Sequence, residues 1–416
     1  MSFRASPVSR QALANILKKR PDDIVFTTGL RTPIARVKKG LKDAYPEELL
    51  AHVLQKTRER LEKRGVDVKN AVQDICTGTV LMELGGAKSG RMAALHAGMP
   101  IESAYRSVNR QCASSLQSIT DIAHSIKSGE IQCGVAAGVE SMTRNYGSRA
   151  IPVDLSPTLK QSASQDARDC IMPMGETSER VAEHWNIGRQ RQDQFAALSH
   201  QRASKAQKAG LFAPEIEPIL VRWVEPESGT ETVKTIAEDE GIRHDSSAEK
   251  LGTLKPVFRE NGASTAGNSS QVSDGAVALT MARRDFAEQA GMEILGKWVG
   301  TAVKGVKPHV MGIGPAVASP ILLARFGLTV NDIDLWELNE AFASQALMTI
   351  DTLKLDAERV NPKGGAIALG HPLGASGGRL VLSLLTELRR TGKDIGVATM
   401  CCGTGYGKAS LIVAEQ

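Results

Sequence analysis

Short β-branched runs alternate with amphipathic helical stretches from Asp22 to the end of the chain, and few folds satisfy such a pattern. The clearest helix is Pro46–Lys63, which opens with proline and two glutamates, carries regularly spaced apolar residues and stops near Gly65. Alternating strands and helices need crossover connections. The pattern therefore predicts an α/β fold with a mainly parallel sheet that helices cover on both faces.

The same alternation occurs twice along the chain. Gly134-Val-Ala-Ala-Gly-Val139 and Gly396-Val-Ala-Thr-Met-Cys401 occupy matching places after a long helix and a glycine turn, which favours two copies of one βα module. We predict strands at 23–30, 74–81, 104–111, 132–139, 293–300, 332–338, 365–369, 394–401 and 408–413, and helices at 46–63, 91–96, 113–128, 315–326, 341–353 and 374–390.

The segment from about 144 to 268 has a different texture. It consists of polar helices rich in Gln, Arg, Ser and Ala, with charged loops at 225–240 and a single expected strand at 216–223. We interpret it as an inserted lobe that lies over a ligand.

Composition excludes several classes of protein. No run approaches the roughly 20 apolar residues of a membrane-spanning helix. A net charge of +5 and an aromatic content of 4% are both low for a nucleic-acid-binding protein. Six cysteines without a CxxC pair in a chain of 416 residues favour free thiols in a reducing compartment.

A basic segment precedes the first acidic residue, Asp22. We expect it to lie outside the folded core, as a mitochondrial-type presequence, a peroxisomal import signal or a solvated arm. Its cationic residues are Arg4, Arg10, Lys18, Lys19 and Arg20.

Cys112, in Asn109-Arg-Gln-Cys-Ala-Ser-Ser-Leu116, is expected at a strand-to-helix junction. Free backbone N–H groups and the helix dipole favour thiolate over thiol there, and a thiolate accepts acyl groups. A small buried core residue is the alternative interpretation. Reactivity therefore requires a base and an oxyanion site nearby.

His371 is the candidate base, because a glycine and a proline hold it between an expected strand and a helix. Four other histidines, His52, His124, His184 and His200, fall within predicted helices. No histidine has metal-ligand spacing, so we predict no metal site.

Two further elements follow predicted strands. Asn339, in Glu337-Leu-Asn-Glu-Ala-Phe-Ala343, offers a neutral amide for an oxyanion or water, with a helix cap as the alternative. Cys401-Cys-Gly-Thr-Gly-Tyr-Gly407 is a glycine-rich turn with a second thiol. A P-loop is excluded because no Lys-Ser/Thr follows the glycines.

Taken in order, these four elements resemble the active-site loops of the thiolase family, with similarity from about Asp22 to Gln416. The resemblance implies two duplicated βαβαβαββ halves in a five-layered arrangement with an inserted loop domain. The expected boundaries are an N-terminal arm at 1–21, an N-terminal half at 22–143 completed by 273–292, a loop domain at 144–272 and a C-terminal half at 293–416.

The resemblance also implies roles. Cys112 would be the acylated nucleophile, His371 its base, and Cys401 the acid/base for the acetyl-CoA enolate and incoming CoA. Asn339, through a water, and His371 would form one oxyanion hole. The backbone N–H groups of Cys112 and Gly403 would form the other.

The family's CoA segments resemble two stretches of this chain, at 241–256 and 265–270. Arg243 would hold the adenosine end of CoA and Ser270 the pantetheine. CoA would be a co-substrate, with no bound cofactor, and the family implies a homodimer or homotetramer.

Residues 171–177, Ile-Met-Pro-Met-Gly-Glu-Thr, are similar to degradative 3-ketoacyl-CoA thiolases, and place Met174 at the substrate. Short-chain biosynthetic acetoacetyl-CoA thiolases have histidine where Pro173 stands. We therefore prefer beta-oxidation to the biosynthetic alternative or a non-catalytic CoA or lipid carrier. The chain departs from the family pattern at Ser115, Gly378 and Cys402.

The sequence from Arg4 to Ala12 resembles the peroxisomal nonapeptide of such thiolases, with Ala5 where a larger aliphatic residue is usual. Leu13, Ile16 and Leu17 would continue an apolar stripe suited to an import receptor. We prefer a peroxisomal location over a mitochondrial or cytosolic one.

Rival chemistries fit less well. A decarboxylating ketoacyl synthase would need a second histidine in place of Asn339 and no thiol at position 401. A papain-type protease has a different order of Cys, His and Asn.

Overall fold

The computed structural model describes residues 7–416, with side chains from Arg10 onward, so Arg4 and Ala5 of the import-signal prediction lie outside the described residues. The strands are β1 Ile24–Arg31, β2 Ala35–Arg36, β3 Asp74–Gly78, β4 Ala104–Val108, β5 Cys133–Ser141, β6 Ile219–Val224, β7 Glu231–Ile236, β8 Ser273–Arg283, β9 Gly296–Gly305, β10 Leu335–Leu338, β11 Ile395–Cys402 and β12 Tyr406–Ala414.

The helices include the predicted Pro46–Lys63 with the same bounds. They are α1 Pro7–Leu17, α2 Pro46–Lys63, α3 Val68–Ala71, α4 Ala87–His96, α5 Ser114–Ser128, α6 Met142–Arg149, α7 Pro157–Lys160, α8 Gln165–Asp169, α9 Met174–His184, α10 Arg189–Lys208, α11 Ala248–Gly252, α12 Arg284–Gln289, α13 Gly314–Arg325, α14 Ala343–Leu353, α15 Ala366–Leu369 and α16 Leu373–Thr391. Four 3-10 helices lie at Glu83–Gly86, Pro308–Ile313, Val330–Asp332 and Ala357–Arg359.

The sheet repeats one topology. Its first half has the order β4-β3-β5-β8-β1, and its second half has β10-β11-β12-β9. The prediction of a mainly parallel sheet is wrong, because only β3–β4, β3–β5 and β10–β11 pair in parallel among the long strands. Each half closes with an antiparallel pair, β5–β8 or β11–β12, although the inserted segment separates β5 from β8 and only a short turn separates β11 from β12.

The second half lacks a full counterpart of β4. A single parallel bridge between Val360 and Trp336 occupies that place beside β10. The predicted strand at 365–369 is wrong, because these residues form the short helix α15. Gly364 and Gly370, with φ of 80° and 106°, turn the backbone at both ends, and a short apolar run alone does not separate strand from helix.

Five layers result from this duplication. Helices α5 and α16 pack against each other in the central layer, where α5 contacts β3 and β5 and α16 contacts β10 and β11. Helices α2 and α4 cover the outer face of the first half. Helices α13 and α14 lie on the opposite side, where α13 packs on β9 and β12. Helices α5 and α16, the third long helices of the two halves after α2 and α4 or α13 and α14, therefore both start inside the molecule.

The inserted segment contains helices α6 to α11 and one hairpin. Strand β6 confirms the strand expected at 216–223, whereas β7 falls in a region expected to be a charged loop. Its side chains are mostly exposed, so the sequence lacks the apolar alternation of a half-buried strand.

The described part of the basic N-terminal segment belongs to the folded molecule, which contradicts its expected place outside the core. Ile16 of α1 is 9% exposed and joins an apolar cluster of the second half, with Leu13 and Leu17 packed beside it. Lys297 Nζ donates to the carbonyl oxygen of Lys18 at 2.7 Å. The stripe expected to face a receptor thus packs on the chain itself.

None of the helices in residues 7–416 combines the length and hydropathy needed to cross a bilayer. All six cysteines are free thiols.

Candidate active site

Cys112 lies in the loop that joins β4 to α5, as predicted. Gln111 has a φ of 49°, and its backbone N–H donates to Asn109 Oδ1 at 2.9 Å. Ser114 Oγ accepts from the N–H of Arg110 at 2.9 Å. These side-chain bonds hold a left-handed turn that a non-glycine residue adopts only under constraint. The turn leaves Cys112 partly exposed at the start of α5.

Burial raises the pKa of the Cys112 thiol to about 11, and the Glu140 carboxylate adds to the rise. Hydrogen bonds from the backbone N–H groups of Gly403 and of Cys112 itself lower the pKa but do not offset burial. The backbone N–H groups therefore favour thiolate as expected, but burial outweighs them in the unliganded protein. Cys112 is a neutral thiol at neutral pH and requires a base.

His371 lies between α15 and α16, with an orientation fixed by Ser376. Ser376 Oγ donates to the carbonyl of Pro372 at 2.9 Å, so it accepts from His371 Nδ1 at 2.5 Å. The proton then sits on Nδ1 and the lone pair on Nε2. Burial and then the Arg379 charge lower the pKa of His371 to about 3, which keeps the ring neutral.

Asn339 follows β10 and is fully buried. Its Nδ2 lies 3.4 Å from His371 Nε2, and its Oδ1 has no hydrogen-bond partner in the described residues. Gln345 Nε2 donates to the Asn339 carbonyl at 2.7 Å. The helix-cap interpretation is wrong, because Phe342 is the cap residue of α14. The amide is therefore oriented toward the imidazole.

Cys401 is buried at the end of β11, in an apolar cluster with Met311, Ala341 and Phe342, against which Met174 packs. Its pKa lies well above its ordinary value because of burial, with the neighbouring Cys112 and Cys402 sulfurs contributing. The Cys112 sulfur therefore lies close enough to affect the ionisation of Cys401.

Gly403 begins the turn between β11 and β12. Its N–H reaches the Cys112 sulfur, and a Cβ at this position would lie 3.1 Å from Gln111 Oε1. The absence of a side chain thus lets the turn approach the nucleophile loop closely.

The two predicted CoA segments occupy different places. The Ser270 N–H donates to the Ala341 carbonyl at 2.9 Å, beside the Asn339 loop. The Arg243 N–H donates to His200 Nδ1 at 3.1 Å, on α10. Gln271 Nε2 donates to the Gly241 carbonyl at 2.8 Å and so links the two segments. An open groove of about 480 Å³ lies next to Arg243, lined by Gln201, Ser204, Lys205, Lys208, Ala209 and His244.

Sequence reasoning missed two residues that organise the site, Ser376 and Glu140. Glu140 accepts hydrogen bonds from the backbone N–H groups of Val80 at 2.9 Å, Leu81 at 3.1 Å and Gly374 at 3.0 Å. Its pKa is raised to about 7 by burial, which these bonds counteract. A carboxylate at the end of an apolar strand was the available signal.

Two of the three departures from the family pattern touch each other. Ser115 Oγ accepts from the Gly378 N–H at 2.8 Å, which joins α5 to α16 in the central layer. Cys402 is fully buried beside Cys401.

No metal centre was predicted, and residues 7–416 contain one group of potential ligands. Asp166, Asp169 and His309 bring their ligating atoms within 4.8 Å of one another. Asp169 already accepts from Gln165 Nε2 at 2.6 Å and lies 3.3 Å from His309 Nδ1. Protein partners thus use its carboxylate, and we assign no metal to it.

Two thiols, a neutral imidazole and a buried amide at the meeting point of two duplicated α/β halves are typical of enzymes that transfer acyl groups through a cysteine thioester. Comparison with known proteins identifies the family. Residues 24–285 match the family described as Thiolase, N-terminal domain, and residues 292–414 match Thiolase, C-terminal domain. The chain belongs to the thiolase family.

Individual relatives are similar over nearly the whole chain. The peroxisomal 3-ketoacyl-CoA thiolase of Yarrowia lipolytica is 46% identical over 97% of this chain and 96% of the relative. The peroxisomal enzyme of Homo sapiens is 45% identical over 97% and 94%. The structure of the dimeric peroxisomal thiolase of Saccharomyces cerevisiae has a TM-score of 0.89 and 42% identity, covering 97% of this chain and 100% of that one.

Proposed function

We propose that this protein cleaves 3-ketoacyl-CoA with CoA, giving acetyl-CoA and a chain-shortened acyl-CoA in fatty-acid beta-oxidation. Three observations support this function: the Cys112 sulfur lies close enough to raise the pKa of Cys401, His371 contacts Asn339, and the helices that start just after Cys112 and His371 pack against each other. The names of the relatives support the degradative reaction and a peroxisomal location.

In the first half-reaction, His371 Nε2 takes the proton of the Cys112 thiol, and the Cys112 sulfur attacks the 3-keto carbon. The bond between C2 and C3 then breaks, and the acyl group remains on sulfur as a thioester. The departing acetyl-CoA enolate takes a proton from the Cys401 thiol. Because the resting thiol and imidazole are both neutral, proton transfer accompanies attack.

In the second half-reaction, the Cys401 thiolate takes the proton of the CoA thiol. The CoA sulfur attacks the acyl-Cys112 thioester, and the collapse of the tetrahedral intermediate returns a thiolate that His371 reprotonates. The proposed kinetics are ping-pong through acyl-Cys112.

Two oxyanions form at different steps and need separate donors. The N–H groups of Cys112 and Gly403 both reach the nucleophile sulfur, which suits the oxygen of the tetrahedral adduct. Asn339 Nδ2, through a water, and His371 suit the enolate oxygen of acetyl-CoA.

We assign the adenosine end of CoA to Arg243, the pantetheine to Ser270 and the acyl side to Met174. CoA is the co-substrate, and the proposed chemistry requires neither a bound cofactor nor a metal. The protein forms a homodimer or homotetramer and is recognised by a peroxisomal import receptor. Its domains are an N-terminal arm at 1–21, an N-terminal half at 22–143 with 273–292, a loop domain at 144–272 and a C-terminal half at 293–416.

The test is CoA-dependent cleavage of 3-ketoacyl-CoAs of increasing chain length by the wild type and Cys112→Ser. We expect activity beyond the four-carbon substrate and a loss of at least about 10³-fold in the variant. Cys170→Ser is the matched control, because its thiol bonds only to the Asp166 carbonyl at 3.4 Å. Full activity of Cys112→Ser refutes the mechanism, and activity on acetoacetyl-CoA alone refutes the degradative assignment.

A further inference from the structure

A groove lies on the side of the molecule away from the two thiols. It encloses about 700 Å³ between the end of α2, the loop after α10 and the second half of α16. Helix α16 starts next to His371 and rises about 1.5 Å per residue, so Arg389 lies roughly 24 Å further along its axis. None of the proposed catalytic or CoA-binding residues lines this groove.

The groove carries a surplus of positive charge. Glu293 and Glu387 are its acidic lining residues, while Glu217 and Glu215 pair with two of its cations from outside. The four carboxylates neutralise four of the six cationic side chains that line the groove. The partial negative charges at the C-termini of α2 and α16, about half a charge each, leave a net charge of about +1. The cationic lining residues are Arg60, Lys63, Arg64, Lys363, Arg389 and Arg390.

The arginines at the mouth of the groove already bind a carboxylate, that of Glu293. Glu293 accepts from Arg389 Nη2 at 3.0 Å and also pairs with Arg64, so guanidinium groups of two helices hold one carboxylate. Lys63, one helical turn from Arg60, has no ion-pair partner in the described residues and is exposed. An incoming anion therefore finds one unpaired ammonium beside two guanidinium groups that already share the single carboxylate of Glu293.

The floor of the groove is aliphatic. Leu382 and Leu385 are buried in it, and Leu211 and Leu295 are partly exposed. No aromatic side chain lines it in residues 7–416, so a nucleotide base would have no stacking surface. Leucine side chains suit an alkyl chain. The volume of the groove also falls in the range of small-molecule sites, which is about 300–1,000 Å³.

We propose that this groove binds an aliphatic carboxylate, with its chain along the four leucines and its headgroup at Lys63, Arg64 and Arg389. The inference is independent of the proposed catalytic function.

The experiment measures dodecanoate binding by calorimetry to the full chain in its native oligomer, after iodoacetamide has blocked Cys112. We expect one binding site per chain. Its affinity for dodecanoate should fall as ionic strength rises, and should be lower by about tenfold or more in Lys63→Glu. Lys127→Glu is the matched control, because Lys127 is an exposed lysine in the last turn of α5. Both lysines lie in the last turn of a helix, so the two charge reversals should cost similar stability.

Two further probes test each half of the ligand. Dodecan-1-ol should bind at least about tenfold more weakly than dodecanoate, because it lacks the charge. Leu211→Gln should flatten the gain in affinity from octanoate to dodecanoate. Unchanged binding in Lys63→Glu, equal loss in Lys127→Glu, equal affinity for the alcohol, or tighter binding of ADP than of dodecanoate would overturn the proposal. None of these outcomes depends on thiolytic activity.

Discussion

The third helices of the two halves occupy the same topological position but start with different chemistry. Helix α5 begins two residues after Cys112, and α16 begins two residues after His371. The helices pack side by side in the central layer. Duplication therefore brings two equivalent helix starts together, and one provides a thiol where the other provides an imidazole.

The strand ends that surround these helices differ as well. In the first half, Glu140 at the end of β5 ties the loop after β3 to Gly374 with backbone hydrogen bonds. In the second half, the corresponding strand ends carry Asn339 and Cys401. The first half thus contributes one reactive group and a rigid support, and the second half contributes the base, the amide and the second thiol.

Within the second half, the largest effect should come from removing the base. We expect His371→Gln to reduce kcat by about 10³-fold, since general-base catalysis contributes about 10²–10⁴-fold. The measurement is steady-state cleavage of a 3-ketoacyl-CoA. His124→Gln is the control, because His124 is exposed on α5 and packs against Trp298.

If His371→Gln instead retained more than a third of the activity, the two helix starts would not act as a nucleophile and base pair. Another group would then have to accept the Cys112 proton. Intact circular dichroism of the variant would show that the comparison is between folded proteins.

The second thiol should separate the two half-reactions. Cys401→Ser is expected to lower carbon–carbon cleavage by about 10²-fold, because serine is a far weaker acid than cysteine and protonates the enolate poorly. Acylation of Cys112 by a simple acyl-CoA should persist, as measured by intact-protein mass spectrometry. Cys402→Ser, one residue away, is the control for local packing, and equal loss in both variants would contradict a specific role of Cys401.

Much of this comparison could be predicted from sequence, because the reactive residues follow strands and precede helices. The loop of Cys112, between β4 and α5, and that of Asn339, between β10 and α14, lie where the alternation placed them. The matching glycine motifs fall on β5 and β11, which occupy equivalent positions beside β8 and β12 in the two halves. Local patterns suffice where each element has its own periodicity.

The remaining features depend on partners distant in sequence. The Cys112 pKa reflects burial by both halves, which no local motif reports. The segment 365–369 is helical because Gly364 and Gly370 turn the chain around it. Helix α1 packs on the second half through Ile16, although its charges resembled those of a free arm.

The pH dependence of alkylation should show how strongly burial raises the pKa of Cys112, the reactive residue of the first half. Iodoacetamide reacts with thiolate, and the Cys112 pKa is raised to about 11. The rate at Cys112 should therefore rise about tenfold per pH unit from 7 to 10 without a plateau. A cysteine in a short peptide, with a pKa of about 8.5, is the reference and should level off above pH 9. A plateau at Cys112 near neutral pH would mean that the helix start does stabilise a thiolate.

The smallest effect should come from Ser376, which positions the base without touching substrate. Ser376→Ala removes the acceptor of the His371 Nδ1 proton, so the imidazole loses its fixed tautomer. We expect kcat to fall by about tenfold with little change in KM, which matches one hydrogen bond of about 1–1.5 kcal/mol.

Ser118→Ala provides the comparison within the other third helix, because Ser118 Oγ is equally buried and bonds only to the carbonyls of Ser115 and Ala137. Similar losses of thermal stability in the two variants, with a fall in kcat in Ser376→Ala alone, would separate positioning from packing. Ser376→Thr keeps the hydroxyl and should restore most of the rate. If Ser376→Thr does not restore the rate, Ser376 does not act by fixing the His371 tautomer, and the start of α16 contributes only the position of the ring.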